Sequence, residues 1–263
     1  MQTIELNGNS FDYDDGGSGS QTLLLLSGWC QDHRLFKNIV DPLREKYRVI
    51  RLDWRGHNAA RTHNGDFNVD DQINDVVAFL DAKGINEVIP VSTSHGGWAN
   101  IGVTQRLGIE RAPKTIVFDW LMLSAFTDLM DALRKSQEEG TWQEGRDGLF
   151  REWVSNTDNQ DVIDHVWNEM ASYDPEMWIR SCREIERAYA KWNSPLERIA
   201  ALTPSRPVAH IYSQPISVDY DNLQLDFAKK NAYFKPIKIV GKTHFPTLES
   251  PKESVQAIMN FVG

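Results

Sequence analysis

Three residues that lie far apart in the sequence have the side chains needed for proton transfer and nucleophilic catalysis. Ser94 belongs to Val91-Ser-Thr-Ser-His-Gly-Gly-Trp98, a variant of G-x-S-x-G in which Ser92 replaces the first glycine. An apolar run precedes this motif and a helix-like segment follows it, so we expect Ser94 on a sharp strand-to-helix turn. Asp119 comes next in the chain, and His244 follows the last predicted strand. A serine, an acid and a histidine in this order predict a catalytic triad.

The acid of this triad has two candidates. Its usual position follows the strand that carries Ile211-Tyr-Ser-Gln-Pro215, but no Asp or Glu occurs there until Asp219. Asp119 ends a neighbouring strand, from which it can reach the loop that carries His244. We favour Asp119 as the group that fixes the His244 tautomer and stabilises its charged form, and Asp219 is the alternative.

Ser94 is compatible with two mechanisms, and the sequence leaves both open. As a nucleophile, Ser94 would need His244 to take its proton and a water molecule to hydrolyse the acyl-enzyme. As a hydrogen-bonding anchor, it would hold a substrate that His244 deprotonates directly. In both cases we expect the backbone N–H groups of His95 and Trp29 to form an oxyanion hole. His95 directly follows Ser94, and Trp29 lies in the turn after the first buried strand.

Alternating strands and helices predict the scaffold that positions these residues. Apolar runs that indicate buried parallel strands occur at 22–26, 48–54, 86–91, 114–120, 206–212 and 234–240, after a hairpin at 3–13 with an Asn7-Gly8 turn. Apolar residues recur at helical spacing between Asp32 and residue 43, and also at 70–83, 97–108, 220–230 and 251–262. The prediction is an α/β-hydrolase fold, with a mostly parallel central sheet flanked by helices.

Between Phe126 and Trp192 this alternation stops. Charged residues are frequent there, no run indicates a buried strand, and the segment contains Trp142, Trp153, Trp167, Trp178 and Trp192. We therefore predict an α/β-hydrolase core formed by residues 1–124 and 194–263, with a helical cap inserted at 125–193. The simplest role for the tryptophans is to pack the cap onto the core. One or two of them could instead line a flat apolar ligand pocket.

Composition argues against several classes of function. The formal net charge of −9 and the absence of Lys/Arg runs disfavour nucleic-acid binding. No apolar run reaches the length of a membrane span and the N-terminus lacks a signal-peptide pattern, so we expect a soluble cytoplasmic protein. Cys30 and Cys182 fit unpaired thiols in a reducing compartment. Zinc, facial-triad and glycine-rich nucleotide patterns are missing, so neither a metal nor a nucleotide cofactor is expected.

Six short stretches resemble the cofactor-independent 2,4-dioxygenases of 3-hydroxy-4(1H)-quinolones. They are distributed over nearly the whole chain, and so is the resemblance. They are Ser27–Phe36, Asp53–His57, Ser92–Gly96, Lys114–Trp120, Ile211–Pro215 and Thr243–Pro246. The chain looks like the branch that opens 2-alkyl-3-hydroxy-4(1H)-quinolones, including the 2-heptyl Pseudomonas quinolone signal. It is also similar to the enzymes that act on the unsubstituted or 2-methyl ring.

The resemblance implies roles for five residues that bind substrate. Ser94 matches the elbow serine of the family. Trp29 and His95 match the positions whose amides hold a substrate oxygen, and Trp153 matches a cap tryptophan near the ring. Gln31, which stands where one relative has a histidine, is also expected to bind substrate.

The resemblance also implies a mechanism without metal or flavin. His244, supported by Asp119, would remove the proton of the 3-hydroxyl group. The electron-rich substrate anion would react with O2, and the peroxide formed at C2 would attack the C4 carbonyl. Ring opening would release carbon monoxide and leave an N-acylanthranilate. The implied partners are a small planar N-heteroaromatic substrate and O2, and we expect the protein to be a monomer or a weak homo-oligomer.

Two other functions stay open at this point. A serine hydrolase of small esters or amides would use the same residues, Ser94, His244 and Asp119, with Ser94 as the nucleophile. A catalytically silent binding protein would keep the fold and lose the chemistry. The sequence does not fix the length of the 2-alkyl chain, because periodicity cannot identify the residues that face a pocket.

Overall fold

The computed structural model describes the whole chain, from Met1 to Gly263, and contains one eight-stranded sheet. The strands are β1 (Gln2–Leu6), β2 (Asn9–Gly16), β3 (Thr22–Leu26), β4 (Arg48–Leu52), β5 (Ile89–Thr93), β6 (Thr115–Phe118), β7 (Val208–Tyr212) and β8 (Phe234–Lys238). Their spatial order is β1-β2-β4-β3-β5-β6-β7-β8. The pairs β1–β2 and β2–β4 are antiparallel, and all other pairs are parallel.

The helices cover both faces of this sheet. They are α1 (Val40–Arg44), α2 (Val69–Ala82), α3 (Gly96–Arg111), α4 (Thr127–Lys135), α5 (Trp142–Val154), α6 (Gln160–Asp164), α7 (Pro175–Trp192), α8 (Pro195–Ala200), α9 (Val218–Lys230), α10 (Pro246–Glu249) and α11 (Pro251–Val262). The leucines of β3 show why two layers of helices are needed. Leu23 and Leu25 belong to one hydrophobic core, whereas Leu24 and Leu26 belong to a second core on the opposite face.

Several predicted elements differ in their boundaries, including β5 and the helix predicted after Asp32. β5 begins at Ile89 and continues to Thr93, because its pairing with β3 starts at Ile89 and its pairing with β6 extends to Thr93. The helix predicted after Asp32 is instead a 3₁₀ turn at His33–Phe36, separated from α1. The Asp32 side chain accepts a hydrogen bond from the Arg34 backbone, which favours the tight turn.

Residues 125–193 contain helices and no strand. The short π-helical segment His165–Glu169 and the 3₁₀ turn Met170–Ser172 link α6 to the long helix α7. The division into a core and an inserted cap stays a prediction. No helix of the protein combines the length and the apolar character that a membrane crossing requires.

Candidate active site

The turn between β5 and α3 presents the Ser94 side chain to a cavity at the carboxyl edge of the parallel strands. Ser94 has a φ of +50°, and this left-handed conformation costs a non-glycine residue about 1–3 kcal/mol. Close packing holds the turn. A Cβ atom on Gly96 would lie 2.3 Å from the Ser27 carbonyl oxygen, and one on Gly97 would lie 2.4 Å from the Trp120 ring. Glycine is therefore required at both positions.

His244 lies in the loop between β8 and α10, and its ring contacts Ser94 directly. The distance between His244 Nε2 and Ser94 Oγ is 2.8 Å. Trp153 of α5 stacks on the imidazole with 5.1 Å between ring centroids and 20° between ring planes, and Phe245 packs edge-on against it. Burial lowers the pKa of His244 to about 4. The ring is therefore neutral at pH 7 and can accept a proton.

Asp119 lies at the same cavity but has no hydrogen bond or ion pair with His244. Its carboxylate accepts hydrogen bonds from the Ser213 backbone at 2.7 Å, from Ser213 Oγ at 2.9 Å and from the Gln214 backbone at 3.2 Å. Burial raises the pKa of Asp119 to about 7. These hydrogen bonds act in the opposite direction, but their effect on the pKa is smaller than that of burial. Asp219, the alternative acid, is exposed in the first turn of α9. The His244–Asp119 dyad stays a prediction, because the two residues border one cavity without direct contact.

A second carboxylate, from Glu249, holds the loop that carries His244. Glu249 Oε2 accepts hydrogen bonds from the backbone of Lys242 at 2.8 Å, and from the backbone and hydroxyl of Thr243, both at 2.9 Å. Ser213 Oγ lies 2.9 Å from the Thr243 carbonyl oxygen, so Ser213 connects this loop to Asp119. Sequence reasoning missed Glu249 and Ser213. Ser213 lies inside a stretch that carried the family resemblance, whereas nothing in the sequence marked Glu249.

Two backbone amides at the cavity have no acceptor within the protein. The N–H groups of Trp29 and His95 donate no hydrogen bond to any other residue. They follow β3 and β5, whose carboxyl ends are adjacent in the sheet. Unpaired amides at neighbouring strand ends can receive a negatively charged oxygen, which is the arrangement of an oxyanion hole.

The His95 and Gln31 side chains are fixed by hydrogen bonds. His95 Nδ1 accepts from Trp98 Nε1 at 3.3 Å, which leaves the proton of the neutral imidazole on Nε2. Burial lowers the pKa of His95 to about 3. Gln31 is buried, and its Oε1 accepts from the Gly28 backbone at 3.0 Å and from Thr93 Oγ1 at 3.3 Å.

All seven residues predicted from the sequence border one cavity of about 400 Å³. These residues are Trp29, Gln31, Ser94, His95, Asp119, Trp153 and His244. The apolar part of the wall comes largely from the helical segment 125–193 and includes Leu129, Leu133, Leu149, Met170, Trp178 and Ile185. The cavity thus combines polar groups on the sheet side with an apolar wall opposite.

The structure contains no cluster of three or more His, Cys, Asp or Glu side chains arranged to hold a metal ion. Both cysteines are unpaired, as predicted. Cys30 is fully buried, and burial raises its pKa to about 12, so the thiol is protonated at pH 7.

The sheet order, the strained serine turn and the histidine after the last strand define the protein class. The protein has an α/β-hydrolase fold, and residues 23–257 match the alpha/beta hydrolase family. More distant solved structures, such as an enol-lactonase from Burkholderia xenovorans at 15% identity and a TM-score of 0.79, share this fold.

Full-length relatives define the family more narrowly. The 1H-3-hydroxy-4-oxoquinoline 2,4-dioxygenase of Pseudomonas putida is 48% identical over 100% of this chain and 99% of its own length. A 2-heptyl-3-hydroxy-4-quinolone dioxygenase of Rhodococcus erythropolis is 36% identical over 99% of this chain and 97% of its own. A solved structure of a 1H-3-hydroxy-4-oxoquinoline 2,4-dioxygenase superposes with a TM-score of 0.97 at 47% identity, with complete coverage of both chains. The chain belongs to the family of 3-hydroxy-4-quinolone 2,4-dioxygenases.

Proposed function

We propose that this protein opens the ring of 3-hydroxy-4(1H)-quinolones with O2, without a cofactor, and releases carbon monoxide and an N-acylanthranilate. The observation that carries this proposal is the pairing, in one cavity, of a neutral, half-buried His244 with the free amides of Trp29 and His95. A base beside an oxyanion-binding site suits a substrate that must become an anion before it reacts.

His244 Nε2 accepts the proton of the 3-hydroxyl group in this proposal. Ser94 Oγ, 2.8 Å from that nitrogen, is placed to bond the same substrate oxygen. The amides of Trp29 and His95 hold a second oxygen, and together these contacts orient the planar anion. Ser94 is therefore an anchor in this mechanism, and no acyl-enzyme forms.

The anion then supplies the electrons for the reaction with O2. A C–O bond forms at C2, the distal peroxide oxygen attacks C4, and the bonds joining C3 to C2 and C4 break as the O–O bond breaks. C3 leaves as carbon monoxide with its oxygen, and both atoms of O2 stay in the N-acylanthranilate. Because the substrate anion is itself the reductant, the protein's contribution is deprotonation, orientation and exclusion of water.

Asp119 stabilises the proton on His244 in our proposal. A buried carboxyl group with a pKa of about 7 is only about half ionised at pH 7. When His244 takes up the substrate proton, the new positive charge favours the ionised form of Asp119, and the two charges support each other. Both residues line the same cavity, and the two charges can interact across it.

We propose that residues 125–193 act as a cap that shields the reaction and receives the 2-substituent. Trp153 covers one face of His244, and Leu129, Leu133 and Leu149 form part of the wall beyond it. An apolar wall of this kind suits a 2-alkyl chain. The names of the relatives differ in the 2-substituent of the substrate. One is named for the ring without a 2-substituent and another for the 2-heptyl ring.

Turnover of matched quinolones tests both parts of the proposal. Chelator-treated protein would be mixed with 3-hydroxy-4(1H)-quinolone and its 2-methyl and 2-heptyl derivatives, in air and under nitrogen, with carbon monoxide and the N-acylanthranilate as readouts. We expect product only in air, with the highest kcat/KM for an alkyl derivative. Absence of oxygen-dependent product with all three would overturn the function, and preference for the unsubstituted ring would overturn the assignment of the apolar wall.

A further inference from the structure

A second cavity, separate from the catalytic one, lies where α7 crosses the start of α2 and the first turn of α3. Its volume is about 340 Å³. Its wall is formed by Ile73, Trp98, Lys191, Trp192 and Arg198, among others, and none of its residues lines the catalytic cavity.

Arg198 is the unusual residue of this crevice. Its side chain makes no hydrogen bond or ion pair with the protein, although the residue is only 8% exposed. The guanidinium lies 4.4 Å from the centroid of the Trp192 ring, so stacking fixes its orientation. Burial lowers its pKa to about 10, which leaves it charged at pH 7. The Asp70 carboxylate lines the same crevice and acts on Arg198 through its charge, but it forms no hydrogen bond or ion pair with the guanidinium. A bound anion in direct contact would therefore stabilise this cation further.

The surrounding charges favour an anion with a single negative charge. Three basic side chains (Arg187, Lys191 and Arg198) and two acidic ones (Asp70 and Glu184) line the crevice, so its net charge is +1 in a chain of net charge −9. Lys191 Nζ lies 5.4 Å from the centroid of the same Trp192 ring that Arg198 covers. Glu184 is already paired with arginine side chains, which leaves Arg198 and Lys191 available to a ligand.

Apolar side chains also line the crevice beside these cations. They are Val69, Ile73, Trp98 and Ala188. Trp98 is nearly fully buried and is held edge-on by Trp120, with 4.7 Å between ring centroids. A ligand that places a carboxylate on the arginine can therefore lay an aromatic ring against this wall.

We propose that this crevice is a binding site for a small aromatic carboxylate, with the carboxylate on Arg198 and Lys191. The inference is independent of the proposed function. It does predict communication with the catalytic cavity, because Trp98 lines the crevice and its Nε1 donates to His95, which borders the other cavity.

Calorimetric titration of the full chain with benzoate and with benzamide, its neutral counterpart, tests the site. We expect benzoate to bind at least about tenfold more tightly than benzamide. A hydrogen bond to a charged acceptor is stronger than one to a neutral acceptor by about this factor in affinity. Arg198→Met should weaken benzoate binding about tenfold or more. Arg151→Met is the matched control, because Arg151 is exposed on α5 and has no partner in the protein, and it should change nothing.

Two further variants keep the test decisive. Arg198→Lys retains the charge but loses the planar fork, so it should fold even if Arg198→Met does not and should weaken benzoate binding severalfold. Trp153→Ala alters the catalytic cavity and should leave benzoate binding intact. The proposal is overturned if benzoate does not bind, if the Arg198 variants bind it as wild type does, or if Trp153→Ala alone abolishes binding.

Discussion

Trp153 and His244 lie face to face, with 5.1 Å between their ring centroids and 20° between their planes. This contact joins the helical segment 125–193 to the proposed base. The indole covers one face of the imidazole and Phe245 packs against its edge, while the ring still borders the cavity. The low pKa of His244 follows from this covering, because burial disfavours the charged imidazole.

Replacing Trp153 should therefore change both the pKa of His244 and the rate. In Trp153→Ala, solvent enters and the His244 pKa should rise from about 4 toward its ordinary value of 6.5. Loss of the stacked ring should lower kcat/KM by about two- to tenfold. Trp153→Phe keeps an aromatic face and should lie close to wild type in both quantities. NMR titration of the imidazole measures the pKa, and an unchanged pKa in Trp153→Ala would contradict the covering role.

Ser94→Ala and His244→Ala distinguish an anchoring serine from a nucleophilic one. If Ser94 only donates a hydrogen bond, Ser94→Ala should slow quinolone turnover by about fivefold to tenfold. His244→Ala removes the base and should slow it by about 10²- to 10⁴-fold. Equal and near-complete losses in both variants, together with a trapped acyl group on Ser94, would instead establish the hydrolase mechanism.

Asp119→Asn tests whether the carboxylate acts through its charge. The amide oxygen can still accept the backbone N–H groups of Ser213 and Gln214, so we expect the variant to fold. Loss of the negative charge should lower kcat by about ten- to a hundredfold, because the protonated His244 loses its counter-charge. The rate should also lose its dependence on the Asp119 ionisation near pH 7. Wild-type kcat and pH profile in Asp119→Asn would restrict Asp119 to a structural role.

The stability of the protein should fall in acid because partial or complete burial keeps four histidines in the neutral form. Burial lowers the pKa of His57, His210 and His244 to about 4, and that of His95 to about 3, from an ordinary value of 6.5. Between pH 6.5 and 4 the unfolded chain therefore binds more protons than the folded one, and the free energy of unfolding decreases as pH falls through this window.

The size of this effect is measurable by urea unfolding. Each histidine contributes up to about 1.4 kcal/mol per pH unit within the window. Asp119 has the opposite effect on stability. Its pKa is raised to about 7, so as the pH falls the folded state binds this proton before the unfolded chain does. The pKa values of His33 and Asp53 are also raised, so these two groups oppose the four histidines as well. The histidines are still the larger set, and the urea midpoint should drop between about pH 6 and about pH 4.5. A flat profile would show that these imidazoles are accessible to water.

The sequence predicted the parts of the site that depend on local pattern. The glycines after Ser94, the apolar runs of the strands and the position of His244 after the last strand are all readable along the chain. The distance between Asp119 and His244 is not, because it depends on the side-chain rotamers at two separate strand ends. Glu249 was missed for the same reason, since its bonds to the loop arise only when α10 folds back under Lys242 and Thr243.

The hydrogen bonds of Glu249 also link the position of the base to a helix outside the cavity. Glu249 belongs to α10, which packs on α11 (Pro251–Val262). Ile258 and Val262 of α11 are buried in the main core. The loop that carries His244 is thus connected through α10 and α11 to the main core. The position of the base therefore depends on a helix that does not itself line the cavity.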